Sequence, residues 1–248
     1  MIRLILVAVF LIGFLILSIP VFFVEWLIGK RNPALKDRSS LRIVQGAFKV
    51  IIWLSGVKLT VIGEENVPKD QPVLYIGNHR SYFDIVLTYA RCPRLTGYVA
   101  KKEMLKIPLL STWMKYLYCL FLDRSDIKEG LKTILTAIDQ MKNGISIMIF
   151  PEGTRGKSAS ELEMAPFHEG SFKIATKTGC PIIPVAITNS SAVFEDHFPF
   201  IKSVPVIIEY GKPIDPSKMT RAEQKFIGRQ TQETIYGMLE KNRIMRSV

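Results

Sequence analysis

Cysteine is scarce in this chain: Cys92, Cys119 and Cys180 are the only three in 248 residues, an odd number with no CxxC spacing. That excludes a disulfide framework and a cysteine zinc site, and fits small buried thiols in a reducing compartment. Histidine is equally sparse. His79, His168 and His197 are too dispersed to form a metal-ligand pattern, so no metal is expected. No GxSxG elbow occurs, which removes the common way of presenting a nucleophilic serine. Acidic residues are outnumbered, 22 against 33 Lys and Arg, for a net charge of +11. Yet no stretch interleaves basic residues with aromatics on a strand or repeats a helix-turn-helix signal, so nucleic acid is not an expected partner. Internal repeats and low-complexity tracts are also missing, and the globular part therefore reads as one domain.

What the chain has in excess is apolar length at its front. Leu4 through Val24 runs without a charge until Glu25, about the twenty residues a helix needs to cross a hydrocarbon core. A cleaved secretory signal would be shorter and end in small residues; this run is bulky and leads into Trp26, Lys30 and Arg31. Gly13 and Pro20 allow a kink, so a straight span and a hairpin bent within one leaflet both remain open. The second apolar stretch, residues 43–57, carries Gln45 and Lys49 and cannot span alone. It suits an interfacial helix with Trp53 and Lys49 at headgroup depth, or a core helix of the globular domain. Up to Gly63 there are eight basic residues against Glu25 and Asp37, so six of the eleven net charges lie beside the apolar segments. A basic collar of this kind attracts anionic headgroups and marks the cytoplasmic side.

From about residue 57 short β-rich runs alternate with helical patterns. Residues 57–61, 73–76, 96–100, 117–122, 145–150, 181–187 and 204–210 read as strands. Leu131, Ile134, Leu135, Ile138 and Met141 fall on one helical face, with Gly144 placed to end it, and residues 220–242 read as a charged amphipathic helix. The expected fold is α/β, a mostly parallel sheet flanked by helices, behind an N-terminal hydrophobic membrane-associated helical segment. The division expected is 1–56 for membrane-anchoring helices and 57–248 for the α/β domain.

In such sheets reactive groups gather beyond the carboxyl ends of the strands, where the stretch IGNHRSYFD puts His79. On a regular helix residues five apart diverge by roughly 140°, so His79 and Asp84 cannot share one helical face. They meet only if His79 lies in the turn, Ser81 caps the helix and Asp84 sits in its first turn. A His held by an Asp is the base-and-orienter half of a triad, and the nucleophile is missing. The economical answer is that the substrate supplies the hydroxyl. The pair alone is also what a helix-start Asp beside a structural His would give. A second strand end carries PEGTRG, residues 151–156, where Gly153, Thr154 and Arg155 can grip an anion. A nucleotide-binding loop is excluded there, because GxxxxGK[ST] would need glycine where Pro151 stands. FLDR ends another strand with Arg124, and VAKKEM a further one with Lys101 and Lys102.

NHRSYFD, AKKEML, FLDR, FPEGTR and PIIPVAI, in this order over residues 70–190, resemble the motif blocks of the 1-acylglycerol-3-phosphate acyltransferase family. The resemblance implies transfer of a fatty acyl group from acyl-CoA or acyl carrier protein to the free sn-2 hydroxyl of 1-acylglycerol 3-phosphate, giving phosphatidic acid. Glycerol 3-phosphate or another lysophospholipid is the alternative acceptor. A membrane-associated thioester hydrolase, with water in place of the alcohol, is the alternative reaction. By this resemblance His79 is the general base and Asp84 its orienter. Arg155, Arg124 and Lys101 hold the acceptor's phosphate, and Glu152, Gly153 and Thr154 shape that pocket. No bound cofactor is implied; the acyl donor is a cosubstrate. Membrane lipids are the partners, with acyl carrier protein as a further one, and the location is the membrane with the catalytic domain on its cytoplasmic face. Glu161 and Glu163 depart from the more basic stretch expected after the EGTR block, which bears on the acceptor and not on the chemistry.

Overall fold

The computed structural model describes residues 1–123, 126–158 and 160–247. Helix α1 (Ile2–Arg31) continues unbroken through Gly13 and Pro20, although the proline forfeits one backbone hydrogen bond. The chain reverses at Asn32 instead. Its side chain accepts the Leu35 N–H at 3.0 Å, and Pro33 opens α2 (Pro33–Ser55) at the position where a missing N–H costs nothing. Only 6% of the most apolar 18-residue window of α1 is buried, unlike a core helix, and its length and composition suffice to cross a bilayer. Ser40, Leu41, Val44, Ala47 and Ile51 of α2 are buried at helical spacing, whereas Trp53 is 77% exposed. The core reading of this stretch thus describes the inner face of α2, and Trp53 stands on the outer one.

The strands are β1 (Lys58–Ile62), β2 (Leu74–Gly77), β3 (Thr96–Lys101), β4 (Leu120–Leu122), β5 (Ser146–Ile149), β6 (Ile182–Thr188) and β7 (Pro205–Tyr210). All seven lie within a residue or three of the predicted runs. They form one sheet in the order β1-β7-β6-β2-β5-β3-β4. The β6–β7 pair is antiparallel and every other pair parallel, so β1 and β7 run against the rest. The central strands β2, β5 and β6 are buried on both faces, which is why they read as continuous apolar runs. Alternate residues serve opposite cores. Tyr75, Met148, Ile183 and Val185 pack with α2 and with α3 (Tyr82–Tyr89). Leu74, Ile76, Ile147 and Ile182 pack against α5 (Ile127–Lys142), α6 (Lys173–Thr178) and α7 (Ile227–Ser247).

Polar ties fasten α1 to this body. The buried carboxylate of Glu25 accepts the Ser39 and Ser40 hydroxyls at 2.8 and 3.1 Å. Trp113 of α4 (Leu110–Tyr116) donates its indole N–H to Ser18 Oγ at 2.8 Å. In α5 the apolar stripe is wider than the core it covers: Ala137 and Met141 are buried, but Leu131 and Leu135 are 57% and 58% exposed. Gly144, at φ +84°, follows the end of α5 as expected.

Candidate active site

The turn after β2 places both members of the His–Asp pair. Asn78 prolongs the ladder with its side chain, accepting the Ile187 N–H at 2.8 Å and donating to the Ile187 carbonyl at 2.9 Å. His79 follows in the turn. Ser81 is the N-cap of α3, its Oγ accepting the Phe83 N–H, and Asp84 at the third helical position closes a capping box. A single oxygen, Asp84 Oδ2, accepts the Arg80 N–H at 2.7 Å and the Ser81 N–H at 2.8 Å, and lies 2.8 Å from His79 Nδ1. An ionised carboxylate only accepts, so Nδ1 carries the hydrogen and Nε2 keeps its lone pair. Asp84 is wholly buried and the His79 side chain 15% exposed. The Phe150 ring stacks on the imidazole at 4.3 Å between centroids, blocking one of its faces.

Because β5 lies beside β2 and parallel to it, the PEGTRG turn stands next to this pair. Glu152 joins the two loops: Oε1 accepts the His79 N–H at 2.8 Å and Oε2 the Ala165 N–H at 3.0 Å. Burial raises its carboxyl above the ordinary glutamate range, against the pull of those two N–H groups, which favour the charged form. Gly153 has φ +74°, and a Cβ there would come within 3.2 Å of His168 Nε2, so glycine answers both conformation and space. Thr154 is exposed. Arg155 lies over the Tyr82 ring at 3.8 Å and donates to Glu195 Oε1 at 3.0 Å. Glu195 also accepts the Tyr82 N–H at 2.8 Å and the Ser81 hydroxyl at 2.6 Å.

The remaining expected residues are more scattered. Lys101 is exposed at the end of β3 and pairs with Glu103 at 2.9 Å. Arg124 lies outside the described residues. The PIIPVAI block, residues 181–187, is buried throughout and supplies all of β6 but its last residue. Glu161, one of the unexpected acids, accepts the Asn189 N–H at 2.8 Å and so secures the exit of β6. Sequence reasoning missed Glu195, which no local pattern marks. It also passed over Arg80, whose guanidinium donates to the Ser158 and Ser160 carbonyls and fixes the loop after the EGTR block.

The Acyltransferase family profile matches residues 58–188, more than half of the chain. The 1-acyl-sn-glycerol-3-phosphate acyltransferase of Borreliella burgdorferi is 33% identical over 191 residues, covering 76% of this chain and 74% of that protein. The protein of the same name from Saccharomyces cerevisiae is 33% identical over 175 residues, covering 70% of this chain and 57% of the yeast one, little more than half its length. The crystal structure of the 1-acyl-sn-glycerophosphate (LPA) acyltransferase of Thermotoga maritima superposes with a TM-score of 0.79 at 25% identity, covering 98% of this chain and 97% of that one. With its His–Asp pair and arginine turn both inside the matched region, this chain belongs to the 1-acyl-sn-glycerol-3-phosphate acyltransferase family.

Proposed function

We propose that the protein moves a fatty acyl group from a thioester to the free sn-2 hydroxyl of 1-acylglycerol 3-phosphate, making phosphatidic acid. The observation that carries this reading is the 2.8 Å contact between His79 Nδ1 and the buried Asp84, with no free nucleophilic side chain bonded to the imidazole among the described residues. Ser81, the nearest hydroxyl in sequence, is already committed as a cap and as a donor to Glu195. The alcohol must therefore arrive with the substrate.

His79 Nε2 takes the proton of the bound sn-2 hydroxyl as its oxygen attacks the thioester carbonyl. Asp84 stabilises the imidazolium that forms. Collapse of the tetrahedral intermediate breaks the carbon–sulfur bond, and the imidazolium returns the proton to the departing thiolate. A base so placed contributes about 10²–10⁴-fold. Positioning of the two bound reactants supplies much of the rest. Arg155 stands at the neighbouring strand end as the principal phosphate ligand, with Lys101 and Arg124 as further cations and Glu152, Gly153 and Thr154 as the frame of the turn. The donor is acyl-CoA or an acyl carrier protein; both are anionic, which suits a chain of net charge +11. Residues 1–56 act as the membrane anchor, and residues 57–248 carry the chemistry on the cytoplasmic face.

The test is an assay of purified protein with acyl-CoA and acyl carrier protein donors against lysophosphatidic acid, glycerol 3-phosphate and other lysophospholipids. Thioester consumption that depends on lysophosphatidic acid is expected. Consumption that proceeds equally without any acceptor would replace this reading with a hydrolase.

A further inference from the structure

Between β6 and β7 the chain passes through two single-turn helices, Ser191–Val193 and Glu195–His197, and then a tip of sequence His197-Phe198-Pro199-Phe200. The base of this loop is firmly set. Val193 and Ile201 are buried, Lys202 N–H donates to the Val193 carbonyl at 2.8 Å, and Phe200 N–H to the His197 carbonyl at 2.7 Å. The tip itself is turned outward: Phe198 is 74% and Phe200 42% exposed, with the Phe198 ring edge-on to Phe194 at 5.5 Å. A loop with so fixed a base that displays much of two phenyl rings to water gains little in folding from the exposed part, so the rest of their gain lies in a contact with something else.

Its neighbours say what that is. Ser203, at the end of the loop, donates its hydroxyl to the carbonyl of Gly56, where α2 stops. Arg3, in the first turn of the apolar helix α1, lies against the same glycine. The highly exposed Trp53 stands one turn back along α2. On its other side the loop meets the active site, because Glu195 holds Ser81, Tyr82 and Arg155. Aromatic rings beside a bilayer-length helix belong at the boundary between headgroups and hydrocarbon, where an apolar body is buried near a wet surface.

We propose that the Phe198–Phe200 tip is a second lipid contact of this chain, inserted into the same bilayer that α1 enters, and that it seats the mouth of the His79 site at the depth of the lysolipid's glycerol. The seating half of this statement rests on the proposed reaction; the contact rests only on the reading of α1 as a membrane helix.

The contact is tested with Phe198→Trp in a Trp26→Phe, Trp53→Phe background, reconstituted in phosphatidylcholine–phosphatidylglycerol vesicles with plain or brominated acyl chains. The emission added by Phe198→Trp is expected to lose most of its intensity in brominated lipid. Equal emission in the two lipids would overturn the proposal. The seating is tested with Phe198→Ser, Phe200→Ser, whose exposed positions leave the core intact. Its activity on long-chain lysophosphatidic acid in vesicles should fall about ten-fold, on the scale of two rings that are each inserted in part. Activity on a short-chain acceptor dissolved as monomer should be unchanged. Parallel loss on both acceptors, or loss on neither, would sink the seating role. If the unmodified enzyme acylates no lysolipid at all, the functional reading fails while the quenching still reports on lipid contact.

Discussion

Asp84 answers three donors with one oxygen and leaves Oδ1 buried without a hydrogen-bond partner among the described residues. That asymmetry decides what its replacement does. Asparagine can set its carbonyl where Oδ2 lies, but its amide then falls at the unpartnered site, and the charge that steadies the imidazolium is gone. Asp84→Asn is therefore expected to lower kcat by about 10²–10⁴-fold and stability by roughly 1–3 kcal/mol, read by transfer assay and thermal unfolding. His79→Ala should cost as much activity with little change in Tm, because the backbone N–H that bonds Glu152 remains. Since the two act as one unit, the double variant should be scarcely slower than either single one. Arg155→Ala should raise KM for the phosphorylated acceptor about ten- to a hundred-fold, the weight of a charge-assisted hydrogen bond, and leave KM for the donor unmoved. Equal change in both constants would remove its phosphate role. Glu152 adds a pH signature. Its folded carboxyl binds its proton more tightly than the unfolded one, so the group's stabilising contribution is complete below the ordinary glutamate value and is lost as pH rises through the raised one. The Tm difference between wild type and Glu152→Gln should shift against the wild type over that interval, measured by calorimetry at a series of pH values.

At the scale of elements, the start of α3 is the hinge of the site, because it carries Asp84 and is capped twice, by Ser81 from within and by Glu195 from the β6–β7 loop. Glu195→Ala should cost about 1 kcal/mol of stability, as the loss of a helix cap does. It should also raise KM for the acceptor, less than Arg155→Ala does, by leaving that guanidinium untethered; Glu195→Gln should recover most of both. The inner cap was legible in the sequence: a separation of five positions between His79 and Asp84 makes sense only as turn plus helix start, and the apolar runs of the strands announced a doubly covered sheet. The outer cap was not. Glu195 lies 114 positions from Ser81 in the chain, and only the packing of a long loop brings them together. The same holds for the stripe on α5, where periodicity put Leu131 and Leu135 on the apolar face but packing leaves both more than half exposed. Arg155 was expected to be an anion ligand from its setting, and the carboxylate partner it has in the structure, Glu195, could not be read from residue type.

For the whole molecule the question is whether the front helices are an appendage or part of the body, and they differ. Leu41, Val44 and Ile51 of α2 share a core with Phe83, Leu87 and Trp113, so removing residues 1–56 would uncover the face on which α3 rests. A truncated protein of that kind should aggregate, which would say nothing about membranes. Changing only the outward row of α1 avoids this. Val9, Ile12 and Ile16 are 65%, 59% and 56% exposed and touch none of the Ser18, Glu25 and Trp113 ties. Val9→Lys, Ile12→Lys, Ile16→Lys places three charges where the chain would meet hydrocarbon, each unfavourable by about 2.5–3.5 kcal/mol at the centre of an inserted helix. In water the same changes cost the fold little, since the side chains are already solvated. The triple variant should therefore leave the vesicle fraction on flotation, keep its Tm, and still acylate a short-chain acceptor in solution while losing turnover of acceptor embedded in vesicles. Retention on the vesicles would mean that α2, the basic collar and the β6–β7 loop hold the protein there without α1, and the anchoring role of the first helix would have to be given up.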